Sequence, residues 1–438
     1  MTVQPTGRCV LLFVLGLPMA LLPVLVDGRL WPLWLLWLGA SVAATGADAL
    51  LALPRRRLRV EATAPQTLFI GSTDPLVLRL AAPGWLRRVP IEVRLDVDER
   101  LEAQPSAEVV LDGGEAALDV PLVPRRRGQA LLHRAHLRWM GPLGLVQLVA
   151  RHELGAAVAV VPNIRAVRAA ALRFFSNKDF LAGLKIEQYV GDGSEFDALR
   201  DYQPGLDHRA IDWKSSARHR KLLVKDFRAE RNHQVVLCFD VGYQMAEVAS
   251  GIPKLDHAIN AALLMGYVAL KTGDRVGAFA FDDRVRSSGE PQAGVHSFPA
   301  LQQWSAGIEY SAAETNYTIG LTELSAKLRR RSLVILFTDF VDTVTAELML
   351  ENVARLSRRH IVVFVTLEDR ALAVLLRGDP TTLTDLNRAV VAADMRRERD
   401  VVLGRLRRLG VFCIEEAPEG LTTSLVNRYL EIKRRELI

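Results

Sequence analysis

Two runs without a charged residue, Cys9–Val26 and Leu30–Ala47, each eighteen residues long and parted only by Asp27, Gly28 and Arg29, narrow what this chain can fold into more than any other feature. As a helix rising 1.5 Å per residue, each run covers about 27 Å, close to the roughly 30 Å hydrocarbon core of a bilayer. The second run continues through Asp48 to Leu53 if that carboxylate lies near the interface. The pair predicts a helical membrane hairpin over residues 1–54. Pro18, Pro23 and Pro32 are admissible there because neighbouring helices and side chains satisfy the freed carbonyls, and Trp31, Trp34 and Trp37 gather near one end as interfacial aromatics do. Arg8 precedes the first run, Arg55, Arg56, Arg57 and Arg59 follow the second, and the turn is neutral, so both ends are expected in the cytoplasm. The competing reading is a cleaved secretory signal, for which Ala47-Asp48-Ala49 supplies small-x-small residues. That site falls well beyond the usual 15 to 30 residues.

From Leu58 to Val161 the pattern alternates with a period of two. Ile91, Val93, Leu95 and Val97 alternate with Glu92, Arg94 and Asp96, and similar runs recur at 76–80, 116–120, 129–139 and 143–149. Pro83-Gly84, Asp112-Gly113-Gly114 and Gly141-Pro142 break them, which predicts an antiparallel β-sandwich over residues 55–163. Arg125, Arg126 and Arg127 before Gly128 read as a solvated turn in preference to an anion patch. After Val235 short apolar strands (235–239, 275–281, 333–337, 361–365, 411–414) alternate with helical spacings (255–271, 346–358, 421–433). Such alternation indicates an α/β domain over residues 233–438, a doubly wound and mostly parallel sheet that binds ligands beyond the carboxyl ends of its strands.

That rule selects Asp240, directly after the first of these strands, and Thr338-Asp339, directly after the third. Two carboxylates at strand ends can converge on one hard cation, with Thr315 adding a hydroxyl. Asp240 and Asp339 read equally well as caps of the following helices. Residues 164–232 between the two domains mix carboxylates, guanidiniums and aromatics without a period, and are expected to form an ion-paired lobe with Tyr202 and Trp213 as apolar anchors. Lys and Arg exceed Asp and Glu by only 6 over 438 residues, so no nucleic-acid partner is expected. Cys9, Cys238 and Cys413 are odd in number and sit in apolar runs, which leaves neither a disulfide framework nor a cysteine metal site.

The motifs Gly193-x-Glu195-Phe196, Leu199-Arg200-x-Tyr202-x-Pro204-Gly205 and Arg209-x-Ile211-x-Trp213-Lys214-x-Ser216-Ala217-Arg218, with Lys225 beyond them, resemble the bacterial family catalogued as domain of unknown function fifty-eight. Arg126-Arg127-Gly128 and Gly141-Pro142-Leu143-Gly144-Leu145 resemble its sandwich domain, although the family usually has Asp where this chain has Gly141. The resemblance covers nearly the whole chain. It implies a bacterial inner-membrane protein with a von Willebrand factor A-like α/β domain, often encoded beside a MoxR-type AAA+ ATPase and with no established enzymatic activity; with the hairpin above, this gives a two-pass protein whose soluble domains are expected in the cytoplasm.

Such domains hold a divalent cation through Asp-x-Ser-x-Ser, a distant Thr and a later Asp. The resemblance places these roles on Asp240, Thr315 and Asp339, but Gly242 and Gln244 stand at the serine positions. The residual set Asp240, Gln244, Thr315 and Asp339 is a degenerate Mg²⁺ site that needs extra water ligands. The leading expectation is a binding or scaffold module acting as an adaptor for the ATPase in protein assembly or remodelling. The alternative is a metal-dependent nuclease or hydrolase using Asp207, Asp212 and Lys214, with Asp-x-Lys placing two side chains on one face of a strand. His208 or His219 as an acid-base group, and Gly191-x-Gly193 as a phosphate cradle without a Walker lysine, are weaker signals.

Overall fold

The computed structural model describes residues 2–25, 31–54, 57–82, 88–165, 167, 169, 190–203, 208, 211–228, 233–340, 343, 345–378, 382–435 and 437. Asp27–Arg29, Arg55, Arg56, Asp207 and Arg209 lie outside them. The chain divides into two compact units, Met1–Asn163 and Ile164–Ile438.

In the first unit the initial apolar run forms two helices, α1 (Gly7–Val14) and α2 (Gly16–Leu25), where one span was expected. Pro18 supplies the reason. It has no N–H for the Val14 carbonyl, and its ring collides with that carbonyl, so the helix breaks between the two residues. The second run is one helix, α3 (Trp31–Leu51), long and apolar enough to cross a membrane. Trp37 of α3 lies against Gly16 of α2, where a Cβ would meet its ring at 2.8 Å.

The sandwich follows from the alternation. One sheet has the order β1-β10-β9-β5-β7, from β1 (Thr2–Pro5), β5 (Val89–Val97), β7 (Ala107–Leu111), β9 (Gly128–Met140) and β10 (Val146–Val161), with β3 (Thr67–Phe69) parallel to β10. The other has the order β2-β4-β8-β6, from β2 (Arg59–Thr63), β4 (Asp74–Ala81), β6 (Leu101–Ala103) and β8 (Glu115–Pro124). Ile91, Val93 and Leu95 are buried whereas Glu92, Arg94 and Asp96 are not, as a half-buried strand requires. Arg127 is buried rather than solvated, and Arg125 pairs with Glu102 at the surface.

The turn between β9 and β10 joins the helices to the sandwich. Asp48 of α3 is fully buried; its carboxylate accepts the main-chain N–H of Leu143 at 2.6 Å, of Leu145 at 2.7 Å and of Val146 at 2.8 Å. A Cβ at residue 141 would lie 2.5 Å from Asp48 Oδ1, so glycine is required there for the carboxylate to enter. Thr6, the N-cap of α1, donates to the Gly144 carbonyl at 2.7 Å, and Trp139 Nε1 donates to the Leu53 carbonyl at 3.1 Å.

The second unit holds a hairpin of β11 (Val190–Asp201) and β12 (Leu223–Arg228) around α4 (Trp213–His219). Its main sheet has the order β17-β16-β13-β18-β19-β20, from β13 (Gln234–Asp240), β16 (Arg275–Phe281), β17 (Val285–Ala293), β18 (Leu333–Phe337), β19 (Ile361–Leu367) and β20 (Phe412–Glu416). Only β17 is antiparallel. β14 (Val248–Ala249) and β15 (Ile252–Pro253) form a small ribbon.

Every residue of β13, β18 and β19 is buried because helices cover both faces. On one face Leu255, Ile259 and Leu263 of α5 (Lys254–Lys271) pack with α6 (Phe298–Ala306) and α11 (Pro418–Arg434). On the other lie α7 (Tyr317–Lys327), α8 (Thr345–Ser357) and α10 (Leu383–Arg408), the last preceded by α9 (Arg370–Arg377). The strand order turns outward in both directions from β13 and β18. The crevice beyond their carboxyl ends is therefore the switch point of the sheet.

Candidate functional site

β13 delivers Asp240 into that crevice and β18 delivers Thr338 and Asp339, all three buried. Asn316 caps α7 by accepting the Ile319 N–H, which fixes the loop that brings Thr315 and Tyr317 alongside. Asp240 Oδ1 accepts Thr315 Oγ1 at 2.6 Å and the Gly242 N–H at 2.8 Å. Its Oδ2 accepts Thr338 Oγ1 at 2.6 Å and Tyr317 Oη at 3.3 Å. Among the described residues no cation touches Asp240. Burial therefore pushes its carboxyl above the usual aspartate range, and the four hydrogen bonds offset this only in part.

Asp339 has the opposite environment. Its Oδ1 accepts the Phe340 N–H at 2.9 Å, Thr366 Oγ1 at 2.9 Å and Arg399 Nη1 at 2.8 Å, and its Oδ2 accepts Lys254 Nζ at 2.7 Å. Burial raises this carboxyl too, but Arg399 and Lys254 outweigh it and hold it below the usual range. Lys254 also pairs with Glu247 at 2.6 Å, and Arg399 with Glu415 at 2.9 Å.

The structure thus brings Asp240, Thr315 and Asp339 together and leaves Gln244 outside, its amide donating to Tyr243 Oη at 3.2 Å. A Cβ at Gly242 would overlap Thr315 Oγ1, so a serine cannot be restored there without displacing the threonine. These residues do not fit a hydrated Mg²⁺. An ionised carboxylate offers about four lone-pair directions, and four protein donors already engage each of Asp240 and Asp339. The cavity beside Lys254 and Asp339 measures about 10 Å³, room for one water at most. Among the described residues no cluster of three or more His, Cys, Asp or Glu has metal-binding geometry.

Thr338 was selected together with Asp339, whereas Lys254, Tyr317, Thr366 and Arg399 were not foreseen. Arg399 alone carried a local signal: it falls at helical spacing with Ala392, Val402, Leu403 and Leu406, the buried positions of α10. A charge on such a face needs a partner.

Asp212 and Lys214 are not side by side on a strand. Asp212 is the N-cap of α4 and accepts the N–H groups of Lys214 and Ser215, while the Lys214 side chain is exposed in the first turn. Asp212 precedes a helix-forming run, where a carboxylate finds free amide donors, and that removes the one-face geometry of a nuclease pair. Asp207 is outside the described residues. His208 contacts Tyr202 Oη at 3.1 Å and His219 is exposed. Trp213 is 68% exposed and no apolar anchor, and the Lys221–Asp201 pair is exposed as well.

Residues 198–401 match the family described as protein of unknown function DUF58. An uncharacterized protein of Mycobacterium tuberculosis is 24% identical over 208 residues, 46% of this chain and 63% of that protein. Uncharacterized protein YeaD of Bacillus subtilis is 29% identical over 114 residues, 26% of this chain and 28% of that protein. The chain thus spans less than two thirds of the length of either relative. Among solved structures, conserved hypothetical protein BatB from Bacteroides thetaiotaomicron aligns with 47% of this chain and 99% of its own, at 12% identity and a TM-score of 0.31. An aerotolerance-related membrane protein from Bacteroides fragilis aligns with 31% of this chain and 67% of its own, at 11% identity and a TM-score of 0.24.

Proposed function

The chain carries a domain of the DUF58 family, and on that premise we propose that it is a membrane-anchored scaffold whose von Willebrand factor A-like domain docks a MoxR-type AAA+ ATPase in protein assembly or remodelling. One observation carries the choice of binding over chemistry: four protein donors engage each of the two crevice carboxylates, two on each oxygen of Asp240 and, on Asp339, three on Oδ1 and Lys254 on Oδ2, so both serve to hold the crevice together. A surface for a protein partner is at hand on α10. Leu383, Leu386 and Val390 are 78%, 50% and 54% exposed, on the face opposite the one that buries Ala392, Arg399, Val402 and Leu403.

The reading includes two passes through a bacterial inner membrane with both ends cytoplasmic. The contacts of Thr6, ahead of α1, and of Asp48, near the end of α3, support it: both reach the turn from Gly141 to Val146, so the apolar segments leave from and return to one place.

Affinity capture from detergent-solubilised membranes, with and without Mg²⁺ and ATP, followed by mass spectrometry, tests the proposal. Recovery of an AAA+ ATPase that is lost with Leu386→Asp and Val390→Asp is expected. Metal-dependent DNA cleavage by the purified chain, with no ATPase recovered, would overturn the scaffold reading. Reporter fusions after Leu58 and Ile438 should both read cytoplasmic, and a periplasmic signal from either would sink the two-pass topology.

A further inference from the structure

We propose that the Lys254 ammonium supplies at Asp339 the positive charge that a divalent cation would bring to this crevice, so that the site is closed to metal and whatever docks there does so without one. The position of Lys254 is itself unusual. It opens α5, whose preceding residue, Pro253, gives no side-chain cap. A positive charge at a helix N-terminus faces the positive end of the helix dipole and is unfavourable there. The ammonium nonetheless turns inward, with its side chain only 13% exposed, and meets Asp339 Oδ2 at 2.7 Å. A lysine free to choose would point its charge into water.

Charge points the same way. Asp339 is buried and needs positive charge; Lys254 and Arg399 supply it, one on each oxygen. Arg399 is the more enclosed, 8% exposed, and is tied further to the Thr366 hydroxyl and the Leu367 carbonyl, so it belongs to the frame. Lys254 lies toward the open side, and its second partner, Glu247, is 55% exposed. An ammonium between a buried and a surface carboxylate bridges two anions, which is what a hard cation does in such a crevice.

The neighbouring residues agree with it. Gly242 offers no oxygen, the space of its absent side chain holds the Thr315 hydroxyl, and that hydroxyl is turned to Asp240 at 2.6 Å. Gln244 is directed to Tyr243. With these groups gone, a metal would have to displace an internal cation and gain few ligands in exchange.

The test uses the full chain in detergent, with Mn²⁺ as the probe, followed by electron paramagnetic resonance of free Mn²⁺ and by thermal unfolding. The wild type should show no Mn²⁺ site that depends on Asp339, and its Tm should not respond to Mn²⁺ or to chelator. Lys254→Ala should lower the Tm and gain Mn²⁺ affinity at least tenfold over the wild type, with Mn²⁺ restoring part of the lost Tm. Adding Asp339→Asn to that variant should abolish the gain. Lys254→Arg, which keeps the charge, should stay metal-blind. A stoichiometric Mn²⁺ site in the wild type that vanishes with Asp339→Asn would overturn the proposal even if Lys254→Ala fails to fold. So would a folded Lys254→Ala that gains no affinity. Loss of the ATPase from the capture experiment would leave this result untouched, so the two proposals fail separately.

Discussion

Asp48 and Asp339 are buried aspartates in two different parts of the molecule, and the chain satisfies them by opposite means. At the turn between β9 and β10, Asp48 is held by three main-chain amides of one short segment and, among the described residues, by no cation. In the crevice of the α/β domain, Asp339 is held by side chains from α5, β19 and α10, two of them charged. Main-chain donors hardly depend on side-chain identity, provided the backbone can approach, so the first arrangement rests on a glycine. Side-chain donors depend on identity at distant positions, so the second rests on residues 60 and 85 positions away from Asp339.

The largest effect that separates these two designs is expected from Asp339→Asn. It strands two buried cations, and removing one partner of a buried pair typically costs about 3–5 kcal/mol. Thermal unfolding of the detergent-solubilised chain should fall accordingly, and a change within error would mean that Lys254 and Arg399 find other partners. Asp48→Ala should cost less, about 1–3 kcal/mol in all, because the vacated space admits water to most of the three freed amides. Its signature is local: hydrogen exchange should speed up at Leu143, Leu145 and Val146 while the α/β core keeps its protection. Gly141→Ala should reproduce that signature by expelling the carboxylate.

The two crevice carboxylates should also titrate with opposite sign. Asp339 is depressed in the folded chain, so its contribution is present above the unfolded value near 3.8 and is lost as the pH falls through its lower folded value. Asp240 is raised, so the folded state binds its proton more tightly. Its contribution is greatest below about pH 3.8 and is lost as the pH rises toward the folded value, about 1.4 kcal/mol per unit of the rise. Asp240→Asn should remove the downward slope of stability just above pH 3.8; an unchanged slope would locate the effect elsewhere. The smallest effect belongs to Asp212→Ala. As the loss of an N-cap it should cost about 1 kcal/mol, not the several expected of a broken buried ion pair.

How much of this was legible follows the same division. The strands were readable because Ile91 to Val97 and Leu333 to Phe337 state their burial in their own period. β17 was not, since Val285–Ala293 mixes Glu290 and Pro291 into an edge strand that needs no apolar run. The apolar length of Cys9–Val26 was plain, but Pro18 outweighed it locally and split the helix. Asp240 and Asp339 could be placed together from strand ends alone, and Thr315 joined them through the family resemblance. That Lys254 and Arg399 fill the same space could not, because nothing near Asp339 in sequence announces a partner on another element.

The seat of Asp48 has a mechanical consequence. With its carboxylate locked into the turn and Thr6 tied to the same turn, the sandwich cannot swivel on the end of α3 as a domain on a loose linker would. In a bilayer, a hydrophobic stretch answers a change in thickness by tilting. A tilt of α3 would be delivered to the sandwich as a rotation of one stiff body, with the helix, about 31 Å long at 1.5 Å per residue, as its lever arm. The state of the lipid would then be written into the attitude of the sandwich.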